Sequence, residues 1–329
     1  MRIKKAWLIC QQRSSSMPSK TGKKRIPAKN RSQNQRSTLA RGYARTLSTK
    51  KSTTGLKTSN QLPKKKTASQ RPAPPNPPRN GYIIWGRHAV YAALGNDERR
   101  IAQIYAVHKD DESELKSLIS TLPQQRRNKL PPVQRIERKC LDNVAGPVNK
   151  VVHQGMAAAV WPVEPPHLDS FLELHQSTPL RLLLLDRVSD PRNVGAILRS
   201  AHAFGVAAVI TTFRHAAEEN GVLARAASGA LDHLYYLRVT NLTRAIERLQ
   251  QDHITVAGLA ADGDMTVESL SCIDRLAVVL GAEGSGLRRL CRDHCDHLVR
   301  IDIDQKSDSL NVSNAAAIAL YAVSTPPSL

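Results

Sequence analysis

An α/β protein built on a parallel sheet is the fold class the sequence predicts, on three observations. From about residue 180 onward, strand-like apolar runs alternate with helix-like patterns. Three of those strands run into polar loops, the edge at which open α/β sheets bind ligands. Charge divides the chain, leaving an electrically balanced globular body behind a strongly basic leading segment.

Residues 1–80 carry 21 Lys and Arg and no Asp or Glu. That leaves 27 of the 48 basic side chains and all 28 acidic ones in residues 81–329, so the formal net charge of +20 belongs to the tail. The tail is rich in Ser, Thr, Gln, Asn and Lys, and ends in the proline run Arg71–Pro78. Such a composition cannot bury enough apolar area to offset its ordering entropy, so residues 1–80 are expected to be disordered, with the prolines as a stiff spacer. A basic flexible arm suits attachment to RNA through its phosphates. An acid-free, Ser- and Arg-rich start also fits an organellar transit peptide, which would direct the protein to an organelle matrix, or a merely solubilising tail. No apolar run approaches the roughly 20 residues a bilayer span needs, so no membrane partner is expected and the chain reads as cytoplasmic. The five cysteines (Cys10, Cys140, Cys272, Cys291, Cys295) form no regular disulfide framework, in keeping with a reducing compartment.

Globular patterning begins at Tyr82. Tyr82–Trp85 reads as a short strand, Gly86 as a turn and the stretch to Leu94 as an amphipathic helix. Ile101–Val107 reads as a strand and Glu112–Leu122 as a helix with Leu115, Leu118, Ile119 and Leu122 on one face. Gln154–Trp161 closes a small α/β domain, residues 81–163, before the turn at Pro165-Pro166. Residues 164–178 are assigned as a linker. In residues 179–329, strands are expected at Leu182–Leu185, Val206–Thr211, Leu234–Val239, Ile254–Ala260, Leu276–Leu280 and Leu298–Ile303. Helices are expected at Asn193–Phe204, Gly221–Ala227, Leu242–Gln250, Leu287–Cys291 and Asn311–Val323. Strict alternation implies parallel strands with both faces covered.

Three strand ends carry the chemistry. The first is Asp186–Ala201, with Asp190 as helix N-cap, Pro191 as first helical residue, and Asn193 and Arg199 beyond them. The second is Leu276–Leu287, where Gly281, Glu283, Gly284 and Gly286 follow an apolar strand. Its glycines let a ligand approach the backbone, but the spacing is neither G-x-G-x-x-G nor a P-loop, and Glu283 would repel a pyrophosphate. An adenosine-type ligand without phosphates, or one with positive charge, suits it; S-adenosyl-L-methionine has both properties. The third is Ile301–Ala317, where Ser309 or Ser313 is expected to cap a slim alanine-rich helix. Cys291, His294, Cys295 and His297 tempt a metal reading. Their Cys-x3-Cys spacing and the lack of a second ligand pair assign them instead to a helix end, and no metal is expected.

Together, Asn193-x-Gly195-x-x-x-Arg199, Leu280-Gly-Ala-Glu-Gly284 and Ser309-Leu-Asn-Val-Ser313 resemble the motifs of the SpoU/TrmH family of RNA 2′-O-methyltransferases, in the SPOUT superfamily. The front unit, with Gly86-x-His88-Ala-Val90 and His153-Gln-Gly155, looks like the ribosomal-protein-like RNA-binding domain of the RlmB-like 23S rRNA guanosine 2′-O-methyltransferases. The resemblance implies a C-terminal knotted (trefoil) domain, a homodimer, large-subunit rRNA as substrate and S-adenosyl-L-methionine as cofactor. Pattern alone gives an ordinary doubly wound sheet. The third motif departs from the family in carrying Asp302 and Gln305 where many members have proline and glycine; Asp302 and Asp304 add negative charge beside the expected cofactor site, either favouring the sulfonium or weakening the loop's usual backbone geometry.

The resemblance assigns the chemistry to Arg199, Asn193, Glu283, Ser309 and Asn311, and cofactor contacts to Leu280, Gly281, Gly284, Ile301 and Leu310. Arginine rarely yields its proton, so Arg199 is read as binding phosphate and stabilising the developing alkoxide, with phosphate or water taking the proton. Gly195 is read as leaving room for the ribose, and Glu283 as holding Arg199 or the cofactor. Two other readings stay open: a tRNA ribose methyltransferase, and a non-catalytic RNA-binding or ribosome-assembly factor on the same fold.

Overall fold

The computed structural model describes residues 75–144, 151–176, 179–304 and 309–324. The basic tail up to residue 74 and Gln305 lie outside the described residues, and with them the expectation of disorder for most of residues 1–80.

A small sheet forms first. β1 (Tyr82–Trp85) leads through Gly86 into α1 (Arg87–Gly95), followed by β2 (Ile101–Ala106), α2 (Lys109–Thr121), α3 (Gln124–Arg127), β3 (Val133–Arg135), α4 (Arg138–Asp142) and β4 (Met156–Val160). Gly86 sits at φ 91°, a conformation that favours glycine, and this is what turns β1 into α1. The strand order is β1-β4-β2-β3, with β4 antiparallel to β1 and β2, and β3 parallel to β2. Both faces of β4 are buried, so its Met-Ala-Ala-Ala-Val sequence shows no alternation.

The larger sheet follows α5 (Leu168–Leu174): β5 (Leu180–Asp186), α6 (Pro191–Ala203), β6 (Ala208–Thr212), α7 (Gly221–Ala227), β7 (Tyr235–Val239), α8 (Leu242–Gln251), β8 (Thr255–Leu259), β9 (Met265–Thr266), β10 (Arg275–Gly281), α9 (Arg289–Asp293), β11 (His297–Arg300) and α10 (Val312–Ser324). Its order is β7-β6-β5-β10-β8-β11-β9, every pairing parallel. Alternate residues of β5 feed opposite cores: Leu183 and Leu185 join the side of α6, α7 and α10, while Leu180, Leu182 and Leu184 join the side of α5 and α8. That explains the unbroken leucine run.

Three expectations change. Alternation is not strict, since β8, β9 and β10 follow one another with only a 3-10 turn at Val267–Leu270 between β9 and β10. The last strand stops at Arg300 rather than Ile303. Residues 164–178, expected as a linker, contain α5, whose Phe171 and Leu172 are fully buried against the larger sheet.

Small and large sheets share one continuous core, and the described residues form one compact unit. At the seam Arg99, 1 % exposed, meets Asp232 through Nε at 2.7 Å and Glu219 through Nη1 at 2.5 Å. Its Nη1 also donates to Tyr82 Oη at 2.9 Å and to the Trp161 carbonyl at 3.0 Å, and the Tyr82 hydroxyl donates to Glu219. The Arg99 cation is met by two carboxylates and two neutral acceptors, the partnering a buried cation requires. At Gly221, an added Cβ would lie 2.1 Å from the Trp85 ring, so α7 packs directly on β1.

Gly195 makes the same kind of approach between helices. A Cβ there would stand 2.4 Å from Ala226 Cβ and 2.6 Å from the Leu223 carbonyl oxygen. This corrects the sequence reading: the missing side chain admits α7, and the ribose has no part in it. Two stability changes are expected, both read by chemical denaturation. Gly195→Val should destabilise by about 1–3 kcal/mol through overpacking. Arg99→Met should cost roughly 3–5 kcal/mol, because it strands two carboxylates in the seam.

Candidate active site

The site begins from a register. β5 and β10 are neighbours, with Asp186 opposite Gly281, so the loops that leave these strands emerge side by side. Asp190 Oδ1 accepts the Arg192 amide at 2.9 Å and Pro191 follows, so α6 starts sharply and puts Asn193 in its first turn. From the other direction, Asn311 Oδ1 accepts the Ser313 amide at 2.9 Å and the Ser313 hydroxyl at 2.6 Å. The cap of α10 is therefore Asn311; the sequence reading had given it to Ser309 or Ser313.

Three side chains from the three strand ends then converge. Asn193 Nδ2 donates to Glu283 Oε1 at 3.0 Å. Asn311 Nδ2 donates to the same oxygen at 2.5 Å and lies 3.2 Å from Asn193 Oδ1. One carboxylate thus orients two carboxamides drawn from residues 118 apart in the chain. Capping and bridging together fix Asn311 at both ends of its amide, so its orientation is set before any ligand arrives.

The loop carrying Glu283 is held by its own backbone and by a buried anchor. Gly286 donates to the Ala282 carbonyl at 2.9 Å, and a Cβ on Gly281 would lie 2.1 Å from Gly286 C, so only glycine lets the loop fold back there. Gly284 and Gly286 adopt φ of 79° and 63° with open space where a side chain would stand. Behind them Asp186, 1 % exposed, accepts the Arg288 amide at 2.9 Å and Arg288 Nε at 2.6 Å. Burial of a carboxylate at a strand end demands such a partner. Sequence reasoning gave Asp186 and Arg288 no role. A lone charge closing an apolar strand was the available signal, but its partner lies 102 residues away.

The remaining expected residues are placed as follows. Arg199 is exposed on α6, outside the carboxamide cluster, and among the described residues its guanidinium has no partner. Glu283 holds Asn193 and Asn311, not Arg199 as one sequence reading had it. Leu280 is buried at the end of β10, Ile301 and Leu310 are half-buried, and Gly284 and Ser309 are exposed. Asp302 receives Arg300 Nε at 2.8 Å, which offsets the charge it adds. Cys295 donates to the Cys291 carbonyl at 3.1 Å, and His294 Nε2 lies 3.2 Å from Glu247. Burial pushes the Cys295 thiol up to about 12, so it behaves as a small apolar group.

The donor set fits S-adenosylmethionine. The bend at residues 281–286 is open at Gly284 and Gly286, carries no lysine for a phosphate, and presents a carboxylate compatible with a cationic centre.

Comparisons with known proteins agree. Residues 181–321 match the SpoU rRNA Methylase family, and residues 83–166 match the RNA 2′-O ribose methyltransferase substrate binding family. The chain is 39 % identical over 244 residues to the 23S rRNA (guanosine-2′-O-)-methyltransferase RlmB of Pasteurella multocida, covering 73 % of this chain and 96 % of that one. With the Escherichia coli K12 protein of the same name it shares 38 % over 240 residues, with the same coverage. Among solved structures, the SpoU methyltransferase AviRb from Streptomyces viridochromogenes superposes with a TM-score of 0.60 at 21 % identity, covering 75 % of this chain and 89 % of that one. AviRb in complex with the cofactor AdoMet superposes with a TM-score of 0.59, covering 75 % and 90 %. The chain belongs to the SpoU rRNA methylase family.

The Asp186 anchor generates a prediction. Asp186→Ala should destabilise the protein by about 1.5–3 kcal/mol, the worth of hydrogen bonds to a charged group. Hydrogen exchange should show faster exchange concentrated in the amides of residues 282–288.

Proposed function

We propose that this protein transfers a methyl group from S-adenosyl-L-methionine to the ribose 2′-hydroxyl of a guanosine in large-subunit, 23S-type rRNA. The observation that carries the reading is the meeting of Asn193, Glu283 and Asn311 at the carboxyl edge of a parallel sheet. The substrate-binding family match over residues 83–166 and the RlmB relatives favour rRNA over tRNA.

When bound, S-adenosylmethionine supplies an electrophilic methyl on a sulfonium. The chain's own residues do the rest. Asn193 and Asn311, fixed by Glu283, orient the ribose, and the free carboxylate edge of Glu283 favours a nearby cation. Backbone groups at Leu280, Gly281, Gly284, Ile301 and Leu310 would hold the cofactor, with Ser309 positioning substrate. Arg199 binds a substrate phosphate and stabilises charge developing on the 2′-oxygen as its proton passes to phosphate or water. Positioning supplies much of the rate, since the displacement is in line.

Three further parts complete the reading: the knot and the dimer follow from membership of the family, and the role of the tail from its charge. The last helix, α10, passes through a loop to make a trefoil knot. Two copies associate as a homodimer through α10 and α6, where Tyr321 (61 % exposed) and Ile318 (39 % exposed) leave an apolar face. The basic tail adds RNA contacts in a bacterial cytoplasm.

Tritiated methyl transfer onto purified rRNA and tRNA tests the reading: label on 23S rRNA is expected, label on tRNA alone would make it a tRNA enzyme, and label on neither a binding factor. Arg199→Ala should keep cofactor affinity within a factor of about two while methyl transfer falls roughly 10²–10³-fold. Full activity in that variant would remove Arg199 from the chemistry.

A further inference from the structure

On the same sheet edge as the carboxamide cluster lies a groove of about 570 Å³ whose lining includes Thr212, Thr240, Asn241, Arg244, Arg288 and Arg289. β10, β5, β6 and β7 are successive neighbours, so the groove opens within two strand spacings, roughly 10 Å, of the loop after β5.

Its charge is unspent. Elsewhere on α8 and α9 arginines are paired: Arg248 with Asp169 and Asp252, Arg292 with Asp262. Arg244 and Arg289, both exposed and both in the groove, have no side-chain partner among the described residues. Arg288 is half engaged by Asp186. The one acid in the lining, Glu247, already faces His294 at 3.2 Å. The first turn of α8 is satisfied by Asn241, whose Oδ1 accepts the Thr243 amide at 2.9 Å, so the arginines, not a bare helix end, give the groove its character.

An aromatic residue follows the groove's edge in the chain. Phe213 follows Thr212 directly and is 56 % exposed, although its backbone is pinned by a 3.0 Å hydrogen bond from its amide to Val239. The chain has three phenylalanines; Phe171 is fully buried and Phe204 half-buried. An exposed ring one residue along the chain from a groove that holds unpaired guanidinium groups offers the combination that holds single-stranded nucleic acid, with phosphates on the cations and a base stacked on the ring. A duplex offers phosphates but no free base face.

We propose that the groove between the ends of β6 and β7 and the start of α9 binds a single-stranded RNA segment adjoining the modified nucleotide, with Arg244 and Arg289 on its phosphates and Phe213 stacked on an unpaired base. The proposal rests on the RNA-methyltransferase reading and specifies where the substrate strand runs.

The test uses the full chain and compares wild type, the double variant Arg244→Gln/Arg289→Gln, and Phe213→Ala. Probes are a short single-stranded RNA and an RNA duplex of equal length. The basic residues 1–80 are common to all three proteins, so differences between them read the groove. The double variant should lower the slope of log affinity against log salt by about 1.4 on the single strand, at roughly 0.7 per phosphate contact. Phe213→Ala should weaken single-strand binding roughly ten-fold with the slope unchanged and duplex binding unaffected. In methyl-transfer assays both should raise KM for RNA more than they lower kcat, and S-adenosylmethionine affinity should hold. An unchanged slope and affinity in the double variant overturns the proposal and leaves the groove to a protein partner. Equal losses on strand and duplex from Phe213→Ala overturn the stacking assignment. A wild-type protein that binds RNA but transfers no methyl group would sink the activity reading while leaving the groove result to stand by itself.

Discussion

Burial of both faces of the larger sheet is the constraint from which the site follows. Leu180 to Leu185 are apolar on either side except at Arg181, because α5 and α8 cover one face and α6, α7 and α10 the other. A polar group on such a strand is tolerated only at its end or with a dedicated partner. Asp186 is both: it is the last residue of β5, and Arg288 meets it through backbone and side chain. The pair ties the end of β5 to the start of α9 and so fixes the return of the loop that began at Gly281. Glu283, midway round that loop, is positioned by its two ends. The carboxamides then have a defined acceptor.

That arrangement explains why the three motifs were legible in sequence while their connections were not. Each motif announces itself locally: an apolar run, then glycine or an N-cap, then polar residues that no helix face accounts for. Asn193, Glu283 and Asn311 could be picked out that way, and they do meet. Arg199 was misjudged as a partner of Glu283 because it offers the obvious opposite charge, whereas one carboxylate oxygen instead accepts two neutral amides. Gly195 was misjudged for a related reason. A helical glycine looks the same in sequence whether a ligand or another helix approaches it, and only the position of Ala226 decides. β9, with two residues, and the 3-10 turn after it are too short to show any period.

The seam between the sheets was also invisible from sequence, since Arg99 is separated from Asp232 by 133 residues. Its consequence is mechanical. Arg99 is anchored in the small sheet's unit and its carboxylate partners in the larger one, while α7 packs against β1 through Gly221 and against α6 through Gly195. Two glycines therefore sit at the two contacts through which α7 joins the front sheet to the helix bearing Asn193 and Arg199.

This chain of contacts bears on how an RNA substrate is presented. If the front sheet grips RNA, as its family match suggests, the grip and the guanidinium of Arg199 belong to one packed body, with no free hinge among the described residues between them. Reacting groups gain most when little motion is left to freeze out, and a misplacement of about 1 Å can cost a factor of a hundred in rate. A protein that must select one ribose among thousands gains from building that distance into its core. Close packing of α6, α7 and β1 is a cheaper ruler than a flexible tether, because its length is set by backbone contacts that cannot stretch. On that argument, Gly195 and Gly221 serve the chemistry from a distance: without touching substrate, they set how far the recognising sheet stands from Asn193 and Arg199.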